Sequence, residues 1–243
     1  MKKINDVLTP SFKELCRQLG FPQNLNPEVR NCQSCDSDFC RDVVARGWLT
    51  AEQMEHAAGR YRLGRSKSGR CIFWMIDEYG KVLDGHIGDT WVSVMMKARD
   101  HSLERNWPLC HCLFGQHLLQ SPDDQDRTEG RIPVCIVMKE SSAVILSELF
   151  PDSIWLATVY PMNFDVFSFR CLQDPDVTLC PPTDETMDTF LAWDELADQA
   201  RRKYFSSGRC SVVVQDILEQ QATPDQKARR IDLVDFLFES PPN

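Results

Sequence analysis

The residues of this chain with the clearest spacing for chemistry are three cysteines. Cys32, Cys35 and Cys40 stand as C-x2-C-x4-C, the pattern with which half of a zinc ribbon presents thiolates to a tetrahedral ion. No second C-x2-C pair follows at the usual distance, and Cys16 and His56 are the neighbours able to supply a fourth ligand. The other readings are a vestigial knuckle or plain reduced thiols. A second group is cationic: Arg60, Arg62, Arg65, Lys67 and Arg70 crowd, with Tyr61, into eleven positions of a chain whose formal charge is −9. Non-specific nucleic-acid binding draws on a Lys/Arg excess that releases counterions from phosphates, so the acidic balance disfavours that role for the surface as a whole. A local phosphate-contacting patch is the functional reading of the run, and a solvated loop is the structural one.

Other reactive side chains are less well organised. His86, His111 and His117 stand singly in apolar contexts, where a histidine is ordinarily a structural residue. Cys110-His111-Cys112 alternates like a strand, which sends His111 to the face opposite the two thiols and makes a poor chelate. Ser141-Ser142 lacks the G-x-S-x-G elbow of a nucleophilic serine. Glu140 and Asp184 each stand at the start of a helical pattern, where a carboxylate is a favourable partner for the helix dipole and for unpaired amides.

The elements that must position these residues follow from patterning. The chain has 243 residues, 42% of them hydrophobic, enough for one large domain or two small ones. No run approaches the roughly 18 apolar residues of a membrane span, and Met1–Asp6 carries no apolar leader, so a cytoplasmic protein without membrane contact is expected. The eleven cysteines are odd in number, and Cys71, Cys135, Cys171, Cys180 and Cys210 lie inside apolar runs as small hydrophobes rather than in a disulfide framework. Residues 1–60 read as a helical, cysteine-containing segment: an amphipathic helix near Ser11–Leu19, a loop from Pro22 to Pro27, and a helix opened by a Thr50/Gln53 capping box. Residues 61–128 read as a small α+β subdomain. Its hairpin runs from Arg70–Asp77 to Lys81–Ile87 through Glu78-Tyr79-Gly80, followed by a helix from Asp89 to Arg99, a short strand near Leu109–Leu113 and a helix start at Phe114–Leu119. The polar run Ser121–Gly130 is the expected boundary. Residues 129–243 then alternate: strands at Ile132–Met138, Ile154–Thr158, Val177–Cys180 and Ser211–Val214, helices from Glu140 to Leu149 and from Thr183-Asp184-Glu185 to Tyr204, and short helices near Ile217, Pro224 and Leu233. Continuous apolar strands alternating with helices imply an α/β fold with a mostly parallel sheet flanked by helices.

Two sets of residues carry a family resemblance. The hairpin G-R-C-I-F-W-M-I-D-E-Y-G-K-V-L-D-G, ending at Gly85, is similar to the segment G-R-x-x-F-P-I-x-D-x-x-G-x-V-x-G that precedes the Toprim domain of bacterial DnaG-type primases. Leu113-Phe114-Gly115 resembles the L-[YF]-G that closes that subdomain. A closer likeness is to primase-like Toprim proteins of bacterial mobile elements, whose first strand–helix junction reads I-V-E-S-E-K-T-A. Here it reads Ile136-Val137-Met138-Lys139-Glu140-Ser141-Ser142-Ala143, and the likeness continues through Leu149–Asp152 and Trp155–Thr158. It spans about Tyr61 to Phe238.

The resemblance implies a Toprim-like sheet and also a loss. Toprim chemistry needs a glutamate after the first strand and a D-x-D pair after a later one, because these carboxylates hold Mg2+ against phosphate oxygens. Met138 stands at the glutamate position, and a thioether is a poor ligand for a hard cation. The D-x-D falls on Pro182-Thr183-Asp184, where only the second aspartate remains, so Mg2+ binding is expected to be weak or absent. The glycine-rich turn after the second strand becomes Val159-Tyr160-Pro161-Met162-Asn163. The first expectation is therefore a catalytically inactive Toprim-like accessory factor that binds nucleic acid or protein. Single-stranded nucleic acid, or a replication, mobilisation or defence protein, is its expected partner. The alternatives are an active primase-like nucleotidyltransferase or nuclease using Glu140 and Asp184 with a third carboxylate such as Asp165 or Asp216, and an acidic protein-binding module or inhibitor.

Overall fold

The fold is that of a computed structural model, which describes residues 32–99, 112–120, 132–159, 164–172, 175–206 and 208–239. The expected helix at Ser11–Leu19, the loop Pro22–Pro27, Cys16, Cys110, His111 and the boundary Ser121–Gly130 lie outside the described residues, as does most of the Val159–Asn163 turn.

Two helices open the described chain, α1 (Asp38–Ala45) and α2 (Ala51–Arg60). Each is started by a side chain that takes an otherwise unpaired amide. Ser37 accepts from the Cys40 backbone, and Thr50 and Gln53 form the capping box. An antiparallel sheet follows in the order β1 (Gly64–Arg65), β2 (Cys71–Ile76), β3 (Val82–Ile87), β4 (Thr90–Trp91). Its centre is the β2–β3 hairpin, with Phe73 opposite His86 and Trp74 opposite Gly85. Glycine is required there by close approach: a Cβ on Gly85 would lie 2.7 Å from the Trp74 ring, and one on Gly64 would lie 2.7 Å from Trp74 Nε1. The helix expected after Asp89 is α3 (Val92–Arg99), which begins after β4 has paired back onto β3.

The second sheet is wholly parallel, in the order β6 (Ile154–Ala157), β5 (Val134–Val137), β7 (Val177–Leu179), β8 (Val212–Val214). The α/β fold with helices flanking a parallel sheet is thus what the chain adopts. Between these strands run α4 (Glu140–Leu149), a 3-10 turn at Val166–Cys171, and α5 (Asp188–Tyr204). Three short helices close the described chain: α6 (Ile217–Gln221), α7 (Pro224–Ala228) and α8 (Leu233–Phe238). β6 is buried at every position, as a strand covered on both faces must be. Its outer edge is closed by Phe114, which exchanges backbone hydrogen bonds with Ala157 at 2.9 and 3.1 Å. That pairing holds Phe114 in a bridge and Gly115 turns the chain at φ +83°, so the helix expected from Phe114 is a 3-10 turn at Gln116–Gln120.

The halves share one apolar core that runs from Cys40, Val43 and Met54 through Tyr61 and Phe114 to Ile136, Leu146 and Trp193. The Tyr61 hydroxyl ties α2 to the sheet by donating to the Trp155 carbonyl at 2.7 Å. Among the described residues no helix is long and apolar enough to cross a membrane.

Candidate functional site

Order β6-β5-β7-β8 means that the chain leaves β5 in one direction to form β6 and returns on its other side to form β7. In open α/β sheets, ligands bind outside the carboxyl ends of the strands where the order reverses, here beyond β5 and β7. Met138 stands just past β5 and Pro182 just past β7, with the Cys180 amide still donating to the Ile136 carbonyl at 2.8 Å. The positions singled out by sequence therefore do come to neighbouring strand ends. What surrounds them decides the chemistry.

Glu140, the first residue of α4, turns to the antiparallel sheet. Its Oε1 lies 2.5 Å from His86 Nδ1, and both side chains are buried. At the other end of α4, Glu148 Oε1 lies 2.7 Å from His56 Nδ1, so His56, one of the two candidates for a fourth zinc ligand, is engaged elsewhere. The helix is thereby clamped to the N-terminal half through two Glu–His pairs.

Asp184 is buried as well. Its Oδ1 accepts from the Thr186 and Asp188 amides and the Thr186 hydroxyl, each at 3.0 Å, and its Oδ2 accepts from the Thr189 amide at 2.8 Å. Burial by itself would raise this carboxyl, but the hydrogen bonds from Thr189, Thr186 and Asp188 hold it well below the usual carboxylate range. Because the side chain takes the amides that a first helical turn would otherwise use, α5 begins at Asp188, behind a left-handed Met187 (φ 61°), and not at Thr183 as the pattern suggested.

A residue the sequence reading missed occupies the crevice between these strand ends. Asp232 is 2% exposed. Its Oδ1 accepts from the Val234 and Asp235 amides and so starts α8. Its Oδ2 meets the Ser142 hydroxyl at 2.8 Å and Lys139 Nζ at 2.9 Å. Lys139, the N-cap of α4, offers that helix no side-chain cap of its own, and Asp232 supplies the anion at the helix start. Burial would lower the Lys139 ammonium, but the Asp232 and Asp235 carboxylates hold it above its ordinary value. The neighbouring chain is fixed by the Thr183 amide, which donates to the Ile231 carbonyl at 3.0 Å, and by Phe238, whose ring stacks on Trp48 at 5.0 Å. The hydroxyls of Thr158 and Thr183, one past β6 and one past β7, are buried without a hydrogen-bond partner among the described residues. Val159 takes φ +69°, a conformation that costs a β-branched residue about 1–2 kcal/mol.

The other predicted residues are placed as follows. Cys40 is buried at the start of α1, where its Sγ accepts from the Ser37 hydroxyl at 3.1 Å and burial pushes the thiol up. Cys35 is exposed and Cys32 half-buried. Among the described residues no group of three or more His, Cys, Asp or Glu side chains stands so as to hold a metal ion. The basic run divides. Arg60 and Arg62 lie at the end of α2 beside His117, whose Nε2 lies 3.2 Å from the Arg60 carbonyl and whose burial lowers it to about 4. Arg65 ends β1, where it and Arg41 flank Asp36, and Lys67 and Arg70 lie on the β1–β2 connection. Asp165 caps the 3-10 turn at Val166–Cys171, and Asp216 accepts from Gln220 at 2.6 Å.

Residues 39–183 match the model of a family described as "Domain of unknown function (DUF6371)". The chain belongs to that family. The DUF6371 match takes in His86, Met138, Glu140 and Pro182 and stops one residue short of Asp184, so Asp232 and α8 lie outside it. No curated protein matches the chain.

Proposed function

We propose that this DUF6371 protein is a catalytically inactive, Toprim-like and primase-like accessory factor that binds nucleic acid, in the replication, mobilisation or defence of a mobile element. One observation carries the reading: the carboxylates nearest the strand ends are already taken by the protein itself. Glu140 serves His86, Asp184 serves four donors at the start of α5, and Asp232 serves Lys139, Ser142 and α8. A hard cation needs several such oxygens together, and recruiting them here breaks a helix cap or a buried pair. The active alternative draws no support from Asp165 and Asp216, which start other elements. Zinc on Cys32 and Cys35 would have to do without Cys40 unless the start of α1 rearranges.

Calorimetric titration with Mg2+ and Mn2+ tests the reading. No binding tighter than about millimolar is expected at the strand ends, where a competent multi-carboxylate site holds its ion far more tightly. Micromolar binding that disappears in Asp184→Asn, or Mg2+-dependent primer synthesis or strand cleavage, overturns it.

A further inference from the structure

We propose that the cleft where α1, the β2–β3 hairpin and the start of α4 meet binds a nucleotide, either free or at the end of a single strand. The inference rests on the accessory nucleic-acid-binding reading and deepens it by naming the ligand and its seat. The cleft is open to solvent and has a volume of about 350 Å3, within the roughly 300–1,000 Å3 range of small-molecule sites.

Its polar centre is Arg70. The guanidinium lies against Gly88 so closely that a Cβ there would fall 1.6 Å from Nη2, and Gly88 has φ +66°. Glycine is thus what lets the guanidinium rest at this spot. Among the described residues the Arg70 guanidinium has neither a hydrogen-bond nor an ion-pair partner, and only the backbone of Arg70 is bonded, to Ser66. A planar fork of donors, resting over Gly88 and left unsatisfied among the described residues, is suited to two oxygens of a phosphate. Ser141, in the first turn of α4, adds a hydroxyl to the same cleft.

The remaining lining distinguishes a nucleotide from a bare anion. Phe39 and Phe73, edge to face at 5.4 Å, give an apolar wall of the kind a base ring packs against. Asp38 uses Oδ1 to accept from the Phe39 and Cys71 amides at 2.8 Å, and Asp42 uses Oδ2 to pair with Arg46 at 2.7 Å. Each keeps a second oxygen, an acceptor for ribose hydroxyls or a base amino group. Two carboxylates beside one free guanidinium repel an isolated phosphate, whereas a ligand with a phosphate at one end and donors at the other matches both.

The test is equilibrium titration of the full chain with AMP, with inorganic phosphate, and with a short oligodeoxyadenylate with and without a 5′ phosphate. AMP or the 5′-phosphorylated strand is expected to bind, phosphate alone to bind at least about tenfold more weakly, and Arg70→Ala to weaken the ligand about 10- to 100-fold, the effect of one charge-assisted contact. Gly88→Ala should act in the same direction by displacing the guanidinium, with folding checked by circular dichroism. Displacement of the strand by AMP identifies a free nucleotide as ligand, and Arg70-dependent binding of the phosphorylated strand alone identifies a strand end. If neither ligand shows Arg70-dependent binding, the cleft is not a nucleotide site. Strand binding that depends on Arg60, Arg62, Arg65 and Lys67 but not on Arg70 overturns the cleft and leaves the proposed function standing. Metal-dependent turnover of a nucleotide held by Arg70 does the reverse.

Discussion

The first turn of α4 has two flanks, and they differ in what they leave open. On the Ser142 flank a buried carboxylate, Asp232, already sits where a helix start attracts an anion, held by Ser142 and Lys139. On the Ser141 flank there is a cleft, and the guanidinium that faces it, Arg70, has no partner among the described residues. One turn divides between them: Lys139 and Ser142 face Asp232, and Ser141 lines the cleft. An interior anion on one side fixes the helix against the strand ends and closes the crevice where this sheet topology would hold a ligand. The opposite side is left free to recognise one. Substitutions on the closed flank should therefore act on stability, and those on the open flank on binding.

The largest effect is expected from Asp232→Ala. It removes a cap from α8, worth about 1–2 kcal/mol, leaves Ser142 without its acceptor and leaves the Lys139 ammonium with Asp235 alone. Lys139 is partly exposed and can rehydrate, which keeps the cost below the 3–5 kcal/mol typical of a fully buried pair. A loss of about 3 kcal/mol, read from the urea midpoint at unchanged m-value, is the expected outcome. A loss below about 0.5 kcal/mol would mean that α8 is not anchored through this carboxylate and that the closed flank is open after all.

Asp184→Ala comes next. The variant leaves the Thr186, Asp188 and Thr189 amides without their acceptor at the start of α5, at a cost of about 2 kcal/mol by the upper range for helix caps. The same carboxyl gives a pH signature. Its folded value lies below the unfolded one, so its contribution is fully present above the unfolded pKa of about 3.9 and is lost as pH falls towards the folded value. Urea midpoints measured from pH 6 down to pH 3 should fall less steeply in Asp184→Ala than in the parent. Parallel curves would show that Asp184 is not the titrating cap.

Which of these features could be read in advance depends on how far their partners lie along the chain. The parallel sheet was legible because strands buried on both faces, such as Val134–Val137 and Ile154–Ala157, are continuous apolar runs. The Thr50/Gln53 box was legible because its parts lie three residues apart. Glu140 as a helix start was legible too, but its attachment to His86, 54 positions away, was not. A short helix near Leu233 was legible, but Asp232, which starts it, was not singled out. Its second oxygen goes to Ser142, 90 positions earlier, and no local pattern encodes that. The start of α5 was misplaced for a different reason, since a turn in which the side chain replaces the backbone as acceptor has the same composition as a first helical turn. Arg70 was picked out by the density of cations around it, whereas what sets it apart from Arg65 is the space above Gly88.

The smallest stability effects belong to the open flank, and they are the sharpest test of the contrast. Arg70 is exposed and its side chain makes no hydrogen bond or ion pair among the described residues, so Arg70→Ala should change the urea midpoint by no more than about 0.5 kcal/mol, the ordinary range for a surface position. Gly88→Ala should cost about 1 kcal/mol, because an alanine there must hold a left-handed backbone. The new methyl meets only the far end of a flexible side chain, which can swing aside. The two changes should then be additive in stability to within about 0.5 kcal/mol and non-additive in nucleotide binding, since each removes the same guanidinium from the same place. A coupling above about 1 kcal/mol in stability would make Arg70 a structural residue and erase the difference between the two flanks.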